Sequence, residues 1–461
     1  MIRTAALLMS SFVTGFLLAG NSLAQSWPTY RHDARRSGVT DESLKFPLQQ
    51  SWLRESKQPP QTAWTGPAKW DAYAGNTDLQ SMRNFDPCFF VTASEGSLFF
   101  GSSVDDAVHA LDAASGKENW VYFTGAAVRF PPTLDSGHAY FGSDDGFAYC
   151  CDQKTGKLIW KRQASIKDER ITSNRKLISK WPVRTGVLIQ NGHAFFAGSL
   201  VPWKTSFLFS VNAETGAIDD GYQSEISGVT LQGALLASTK RLYVPQGRAA
   251  PLAFSVSNGK SLGAIGEAGG VYCILTEDEM LLAGPSNQKS ADSQIRVADG
   301  DSGRRLATFS GASQILVSRN LAWIPTIGKL KMLDRSQYVS AQRKIDAANA
   351  IINNKKLSNA SAKAAAKKQR EQSEKLKASA WKWESDCPIP SGIIKAGDAI
   401  LIGLKDEVRA YSSKTGDLVW KGSVNGNAHG LAVAGGRLFV STGLGHIYAF
   451  ESIGESPADG R

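Results

Sequence analysis

A block of residues that returns along the chain constrains its fold more than any other feature. At 98–120 the block contains LFFGS, then LD, then SGK and a Trp. It recurs at 140–160 with YFGSDDG, D, TGK and Trp, and at 401–420 with LIG, AY, TGD and Trp. In all three copies the Trp lies four residues after the glycine of the Ser-Gly or Thr-Gly pair. Weaker copies keep this glycine at 216, 259 and 303. The steps from 116 to 156 and from 216 to 259 to 303 are 40 to 44 residues long.

Each copy predicts four short strands separated by turns, the last strand bearing the Trp. A period of about 40 to 45 residues is typical of the blades of a β-propeller, whereas a parallel α/β fold would need helices between the strands. We therefore predict an all-β, eight-bladed β-propeller of four-stranded blades. The blades are predicted to begin near Phe89, Val128, Val183, Val229, Val271, Ile315, Ile389 and Gly430.

The last predicted blade is one strand short where the chain ends. The segment 49–53, QQSWL, carries a Trp like the outer strands, so we predict that it completes this blade and closes the ring. Closure would remove a free edge that invites aggregation. The tryptophans predicted to mark outer strands are Trp52, Trp120, Trp160, Trp383 and Trp420.

The N-terminus has the order of a secretory signal: Arg3, an apolar stretch at 5–19, and the small-residue tripeptide at 22–24. We expect a signal peptide at 1–24, a lead-in with the closing strand at 25–87 and the propeller at 88–461. The apolar stretch falls short of the roughly 20 residues that a membrane-spanning helix needs, and no later segment reaches that length. The expected location is periplasmic or secreted.

A basic insert at 336–380 interrupts the sixth blade. Its Ala-, Lys- and Glu-rich composition and helical spacing predict a helical hairpin that projects from the propeller and returns to finish the blade. We expect the hairpin to be independent of the propeller, which should fold without it. It carries eight Lys and two Arg against three acidic residues, a net of +7 out of +10 for the chain. Two interpretations stay open: an arm for an anionic surface, or a solvated helix pair. The remaining charge gives no reason to expect a nucleic-acid partner.

Polar residues near the starts of several blades are candidates for a site at the mouth of the central channel. Arg129 and Arg184 both lie eight residues before a Gly-His-Ala turn, and Gln232 has the matching register in the next blade. Such donors would suit a carboxylate or a carbohydrate; alternatively, they bond to loop carbonyls and to one another. The full candidate set is Arg83, Asp86, Arg129, Arg184, Gln232 and His429.

The repeat resembles that of the PQQ-like repeat family, in which an aromatic strand ending Gly-Ser, an Asp-Gly turn, a strand into Leu-Asp, Thr-Gly-Lys and Trp recur. The family includes eight-bladed quinoprotein dehydrogenases and cofactor-free relatives such as the propeller subunit of the outer-membrane protein assembly machine. The resemblance also suggests a vicinal disulfide at Cys150–Cys151. Successive side chains of a strand point to opposite faces, however, so we expect a core thiol beside a surface thiol.

No complete set of catalytic residues and no paired metal-ligand spacing occurs in the sequence. We therefore expect a monomeric, non-catalytic propeller that binds a protein or polysaccharide partner in the cell envelope, with no cofactor. The alternative that the family resemblance implies is an alcohol or sugar dehydrogenase dependent on pyrroloquinoline quinone (PQQ) and calcium.

Overall fold

A computed structural model describes residues 26–64, 84–247, 249–265, 270, 272–284, 294–356 and 359–453. The predicted signal peptide and Arg83 lie outside these ranges. Within them the chain is predominantly β, with four-stranded antiparallel sheets and two helices, as expected for a β-propeller. The two N-terminal strands are β1 (Val39–Thr40) and β2 (Leu48–Arg54).

Six sheets in the described ranges are meanders of four consecutive strands. The first two contain β3 (Val91–Ser94), β4 (Ser97–Ser102), β5 (Ala107–Asp112) and β6 (Glu118–Phe123), and β7 (Thr133–Asp135), β8 (His138–Gly142), β9 (Phe147–Asp152) and β10 (Leu158–Gln163). A separate hairpin, β11 (Arg170–Ser173) and β12 (Lys176–Ser179), precedes the third sheet. The third sheet contains β13 (Leu188–Gln190), β14 (His193–Gly198), β15 (Ser206–Asn212) and β16 (Tyr222–Ile226).

The next three sheets repeat the same order. They contain β17 (Leu236–Ala237), β18 (Arg241–Val244), β19 (Leu252–Ser255) and β20 (Ser261–Ala264); β21 (Tyr272–Leu275), β22 (Met280–Gly284), β23 (Gln294–Asp299) and β24 (Arg305–Ser310); and β25 (Leu316–Ser318), β26 (Leu321–Thr326), β27 (Lys329–Asp334) and β28 (Trp381–Asp386). Helices α1 (Arg335–Ile352) and α2 (Ala360–Ala378) lie between β27 and β28.

An eight-stranded sheet joins the C-terminal repeats to the N-terminal strands, in the order β1-β29-β30-β31-β32-β33-β34-β2. Its C-terminal members are β29 (Gly392–Ala396), β30 (Ala399–Gly403), β31 (Lys405–Ser412), β32 (Leu418–Ala434), β33 (Arg437–Thr442) and β34 (Ile447–Ser452). Strand β2 pairs antiparallel with β34, with Gln50 opposite Phe450. The segment around Trp52 therefore completes the last strands of the chain.

The repeated Trp and Gly contact each other across neighbouring sheets. Trp120 of the first sheet lies over Gly156 of the second, where a Cβ atom would stand 2.7 Å from the indole ring. The Nε1 of Trp120 donates to the carbonyl of Gln153 at 3.1 Å. Gly156 also has a φ of +70°, a conformation that glycine adopts at little cost. The repeat is thus conserved along the chain because each blade docks on the next.

Of the other marker tryptophans, Trp52 and Trp160 lie over Gly116 and Gly216 in the same way, whereas the glycine beside Trp420 is Gly422 of its own strand. Trp52, Trp160 and Trp420 donate from Nε1 to the carbonyls of Ala113, Ala213 and Leu48, respectively. Trp383 packs over Gly416, but its Nε1 has no hydrogen-bond partner in the described part of the chain.

The prediction of one surface thiol in the Cys150–Cys151 pair is wrong. Both side chains are fully buried and both thiols are free. Cys150 packs in the cluster shared with the third sheet, whereas Cys151 packs in the cluster on the other face. Neighbouring sheets cover both faces of this sheet. Successive residues of its strands, which point to opposite faces, are therefore both buried.

The connections between strands alternate between two ends of the sheets. We call one the mouth end; it holds the loops between second and third strands, such as 143–146, and the linkers between sheets, such as 124–132. The other is the helix end, where the first-to-second and third-to-fourth connections lie, including α1 and α2.

The lead-in, residues 27–38, crosses the helix end of the ring. Its backbone bonds to the first sheet through Trp27 and Ala93, to the second through the carbonyl of Pro28, and to the fourth through the carbonyl of Ala34. The carbonyl of Arg35 accepts from Leu275 in the fifth sheet, and that of Gly38 accepts from Lys395 on β29. This segment therefore closes the central channel at that end.

The base of the helical insert is part of the propeller core. Tyr338 on α1 is buried, and its ring lies 5.7 Å from that of Phe309 on β24. Asp334 caps α1 by accepting from the backbone N–H of Gln337 at 3.0 Å. The expectation that the hairpin is independent of the propeller therefore does not hold for its first turns.

Candidate functional site

Three of the predicted mouth residues form a buried network with a fourth that the sequence analysis missed. The Nε of Arg129 donates to Asp144 Oδ2 at 2.8 Å, and its Nη1 donates to Asp86 Oδ2 at 2.6 Å. Arg184 approaches the same Asp144 carboxylate through Nε and Nη2, both at 2.8 Å. Asp144 thus lies between two guanidinium groups, and all four side chains are buried.

Burial and the neighbouring arginines shift the pKa of each of the two carboxylates in opposite directions. Burial alone would raise the pKa of Asp144, but Arg129 and Arg184 outweigh it and hold that pKa well below its ordinary value. For Asp86 burial dominates over Arg129 and raises the pKa. Asp86 Oδ1 is buried without a hydrogen-bond partner in the described residues, which is consistent with this weaker compensation.

The network extends toward Gln232 through an aromatic side chain. Trp64 donates from Nε1 to Gln232 Oε1 at 2.6 Å, and the Arg184 guanidinium lies 5.5 Å from the centre of the Trp64 ring. Gln232 Nε2 donates to the carbonyl of Leu200 at 3.2 Å. The predicted donors are therefore brought together, and their hydrogen bonds go largely to one another and to loop carbonyls. A ligand role for them stays a prediction.

His429 lies apart from this network, on the wall of a central cavity of about 360 Å³. Burial lowers the pKa of His429, which favours the neutral imidazole. The lead-in contributes Trp27, Tyr30 and Arg31 to the lining. Polar lining residues from other segments include Asn84, Ser313, Gln314 and Ser391. Arg31 is the charged side chain among the described lining residues.

The mouth end also carries the most exposed large apolar side chains of the described chain. Trp203 and Ile327 lie in loops between second and third strands and are 77% and 74% exposed. The remaining three end or follow fourth strands; they are Phe123, Ile166 and Ile389, between 61% and 66% exposed. We call these five side chains the apolar rim. They belong to or follow the first, second, third and sixth sheets and share one end of the ring.

Metal-binding and membrane-spanning features are absent from the ranges that the structure describes. No cluster of three or more His, Cys, Asp and Glu side chains is placed there to hold a metal ion. Neither helix is apolar and long enough to cross a bilayer. The Asp299 turn that resembles a calcium loop uses its carboxylate to accept from Ser302 and Asp301 backbone N–H groups.

Two residues were not identified from the sequence: Asp144 in the buried network and Arg31 on the cavity wall. Asp144 belongs to the Asp-Asp-Gly turn of the repeat, where an ordinary turn role explains an acidic residue. Arg31 precedes the repeats, in a segment with no periodicity. The sequence signal for Asp144 was its place in a turn at the same end as Arg129 and Arg184.

Comparison with known proteins identifies the repeat. A family model described as outer membrane protein assembly factor BamB matches residues 63–217 and 380–456, half of the chain. A curated relative, the dehydrogenase subunit of the quinone alcohol dehydrogenase of Gluconobacter oxydans (strain 621H), is 32% identical over 124 residues. That match spans 24% of this chain and 16% of the relative's length.

Two solved structures share the fold at low sequence identity. BamB from Moraxella catarrhalis is 13% identical with a TM-score of 0.52, covering 88% of this chain and 100% of that one. Quinohemoprotein alcohol dehydrogenase ADHIIG from Pseudomonas putida HK5 is 12% identical with a TM-score of 0.59, covering 95% and 82%. The fold is thus shared by a protein named for assembly and by a redox enzyme.

Proposed function

The chain belongs to the PQQ-like repeat propeller family, and from that premise we propose that it is an exported, non-catalytic scaffold that binds a protein partner in the cell envelope. The proposal includes the signal peptide at 1–24 and a periplasmic or secreted location. It also includes eight blades, two of them being the halves of the eight-stranded sheet that share β32.

The apolar rim is the observation that carries this proposal. A partner that covered these five side chains, which are 61% to 77% exposed, would gain about 25 cal/mol for each Å² of apolar area buried. They share the mouth end, whereas the basic hairpin projects from the other end. Aromatic and apolar anchors of this kind typically dominate the energetics of protein interfaces.

The alternative, a quinone-dependent dehydrogenase, is favoured by the 32% identity to a quinone alcohol dehydrogenase. That chemistry needs calcium, which prefers carboxylate and carbonyl oxygens, and an acidic general base. The described residues that line the central cavity include no carboxylate, and the nearby Asp86 and Asp144 are taken up by arginines. This donor set does not fit a calcium–quinone centre.

The helical hairpin supports a second contact, with an anionic surface. Between 347 and 370 it has six cations and no acid, whereas Asp346, Glu371 and Glu374 lie toward its base. With 18 residues, α1 is about 27 Å long at 1.5 Å per residue. The distal part of the hairpin therefore carries charge of a single sign.

Site-specific photo-crosslinking tests the scaffold proposal. A photoreactive residue at Phe123 should give an adduct of defined mass in intact cells, and the triple variant Trp203→Ser, Ile327→Thr, Ile389→Thr should abolish it. The matched control is Leu418→Thr with Val419→Thr, which removes exposed apolar side chains at the opposite end. An adduct that survives the triple variant, or that the control also removes, contradicts binding through the rim.

The enzyme alternative has a separate test. The purified chain is titrated with PQQ and calcium, and reduction of an artificial electron acceptor is followed with alcohols and sugars. The scaffold proposal expects neither saturable binding nor turnover. Alcohol-dependent dye reduction that requires both additions would establish the dehydrogenase instead.

A further inference from the structure

The lead-in places one cation on the floor of the central cavity. Arg31 has a φ of +54°, in the left-handed region that non-glycine residues rarely adopt. The loop around it is held by Asp33, whose Oδ1 accepts from the backbone N–H groups of Arg35 and Ser37, both at 3.0 Å. The N–H of Gly38 donates to the carbonyl of Arg31 at 3.0 Å. The orientation of Arg31 is therefore built into the fold.

No acidic side chain among the residues that the structure describes forms an ion pair with Arg31. Its Nε donates to the carbonyl of Arg36 at 3.0 Å, and its Nη1 and Nη2 approach the carbonyl of Ile393 and the hydroxyl of Tyr272 at 3.3 and 3.4 Å. All three acceptors are neutral, and no carboxylate in the described residues lies within 4.0 Å of the guanidinium. A guanidinium has five N–H donors, so two are left for a ligand.

The rest of the cavity wall suits a ligand with hydroxyl groups. Asn84 Oδ1 is buried without a partner in the described chain, so it lacks a donor. His429 is a neutral imidazole, which both donates and accepts. The Arg31 guanidinium lies 5.0 Å from the centre of the Tyr272 ring, and Tyr272 and Trp27 both contribute to the wall. The volume of about 360 Å³ is at the lower end of the range for small-molecule sites.

We propose that the central cavity binds a small hydroxylated carboxylate of the sugar-acid class, with the carboxylate on Arg31 and hydroxyls toward Asn84 and His429. Because the lead-in closes the helix end of the channel, the ligand enters from the mouth end. This site is independent of partner binding at the apolar rim, and it needs neither a metal nor a redox cofactor.

Isothermal titration of the full mature chain with D-glucuronate tests the site. D-Glucose is the neutral probe of matching shape, and inorganic phosphate is the anion without the sugar. Glucuronate should bind at least tenfold more tightly than either. Arg31→Gln should weaken it at least tenfold and Arg31→Lys less. Arg54→Gln should leave it unchanged, since Arg54 also lies over an aromatic ring, 4.8 Å from Phe100, but does not line the cavity.

A second variant keeps the test decisive if Arg31→Gln disturbs the lead-in and fails to melt cooperatively. Ser313→Trp places a large side chain on the cavity wall while Arg31 and its backbone stay as they are, and it should abolish glucuronate binding. Absence of saturable glucuronate binding at millimolar concentration overturns the proposal. So does binding that persists in Ser313→Trp, or equal affinity for phosphate, which would indicate an unselective anion site.

Discussion

Asp144 is the side chain on which the mouth network depends. It neutralises two buried guanidinium groups, and without it Arg129 would keep only Asp86 while Arg184 would lose its carboxylate partner in the described chain. Removing one member of a buried ion-pair network leaves uncompensated charge, which typically costs several kcal/mol even where the intact network contributes little. The network therefore fixes the geometry of the mouth loops.

We predict that Asp144→Asn lowers the free energy of unfolding by about 3–5 kcal/mol at pH 7, measured by urea denaturation. Asp135→Asn, an exposed carboxylate of the same sheet, should change it by less than about 0.5 kcal/mol. Because the folded pKa of Asp144 lies below its ordinary value of 3.8, its contribution is fully present above that value and is lost as the pH falls below it. A difference from wild type that already narrows between pH 7 and 5 would contradict this assignment.

The residues of the site could be predicted from the sequence only in part. Arg129 and Arg184 were found because they share a spacing to Gly-His-Ala turns, and the structure brings them together. Asp144 was missed because nothing in the sequence shows whether a turn carboxylate accepts from its own backbone or reaches a neighbouring blade. Arg31 was missed because its segment crosses several sheets, a long-range arrangement without local periodicity.

At the scale of elements, the contact between the outer-strand Trp and the turn Gly of the next blade joins consecutive sheets. Three of the five marker tryptophans, Trp52, Trp120 and Trp160, also donate to a carbonyl across this contact. The sequence predicted the strands and turns well because they follow local periodicity. It did not show that the Trp and Gly of different copies touch, since that depends on how the sheets pack.

A pair of glycine variants separates this packing from backbone strain. Gly156→Ala and Gly137→Ala both place alanine at a positive φ, +70° and +79°, but only at Gly156 would the new Cβ meet a Trp ring. We expect Gly137→Ala to cost about 1 kcal/mol and Gly156→Ala about 1–3 kcal/mol more, by urea denaturation. Equal losses would indicate that the Trp moves aside freely and that the contact does not hold the sheets together.

The basic hairpin should act through its distal lysines. We predict that replacing Lys355, Lys356, Lys367 and Lys368 with Gln strongly reduces cosedimentation with phosphatidylglycerol vesicles at low salt. At low salt the attraction between these exposed lysines and the anionic vesicle surface is only weakly screened. The buried contact of Tyr338 is untouched, so the melting temperature should not change. The control replaces the exposed Lys154, Lys157, Lys240 and Lys260 with Gln, which removes the same number of positive charges from the propeller. Equal losses in the two variants would indicate a general charge effect and no specific role for the hairpin.

At the scale of the whole molecule, the ring closes by pairing residues from the two ends of the propeller. Strand β2 lies beside β34, and Trp52 on β2 then docks on the first sheet beside Gly116. The lead-in adds a second link across the helix end of the channel. Closure could be predicted because the last repeat lacks a strand and 49–53 resembles one. The crossing of the lead-in could not, because no repeat pattern specifies it.

A disulfide between β2 and β34 tests whether this closure holds the molecule together. Gln49 lies directly opposite Glu451, so Gln49→Cys with Glu451→Cys would link residues some 400 positions apart. Arg437→Cys with Glu451→Cys is the matched control. These two residues also face each other on paired strands, and this variant also removes the Arg437–Glu451 ion pair. Its disulfide, however, closes only a short loop. In the chain-entropy model a loop of about 15 residues contributes about 3 kcal/mol, and a loop near 400 residues about 6 kcal/mol. Oxidation should therefore raise the urea midpoint more in the closure variant than in the control, and reductant should reverse both. A smaller gain in the closure variant would mean that the ends already separate in the native state, contrary to the closed ring.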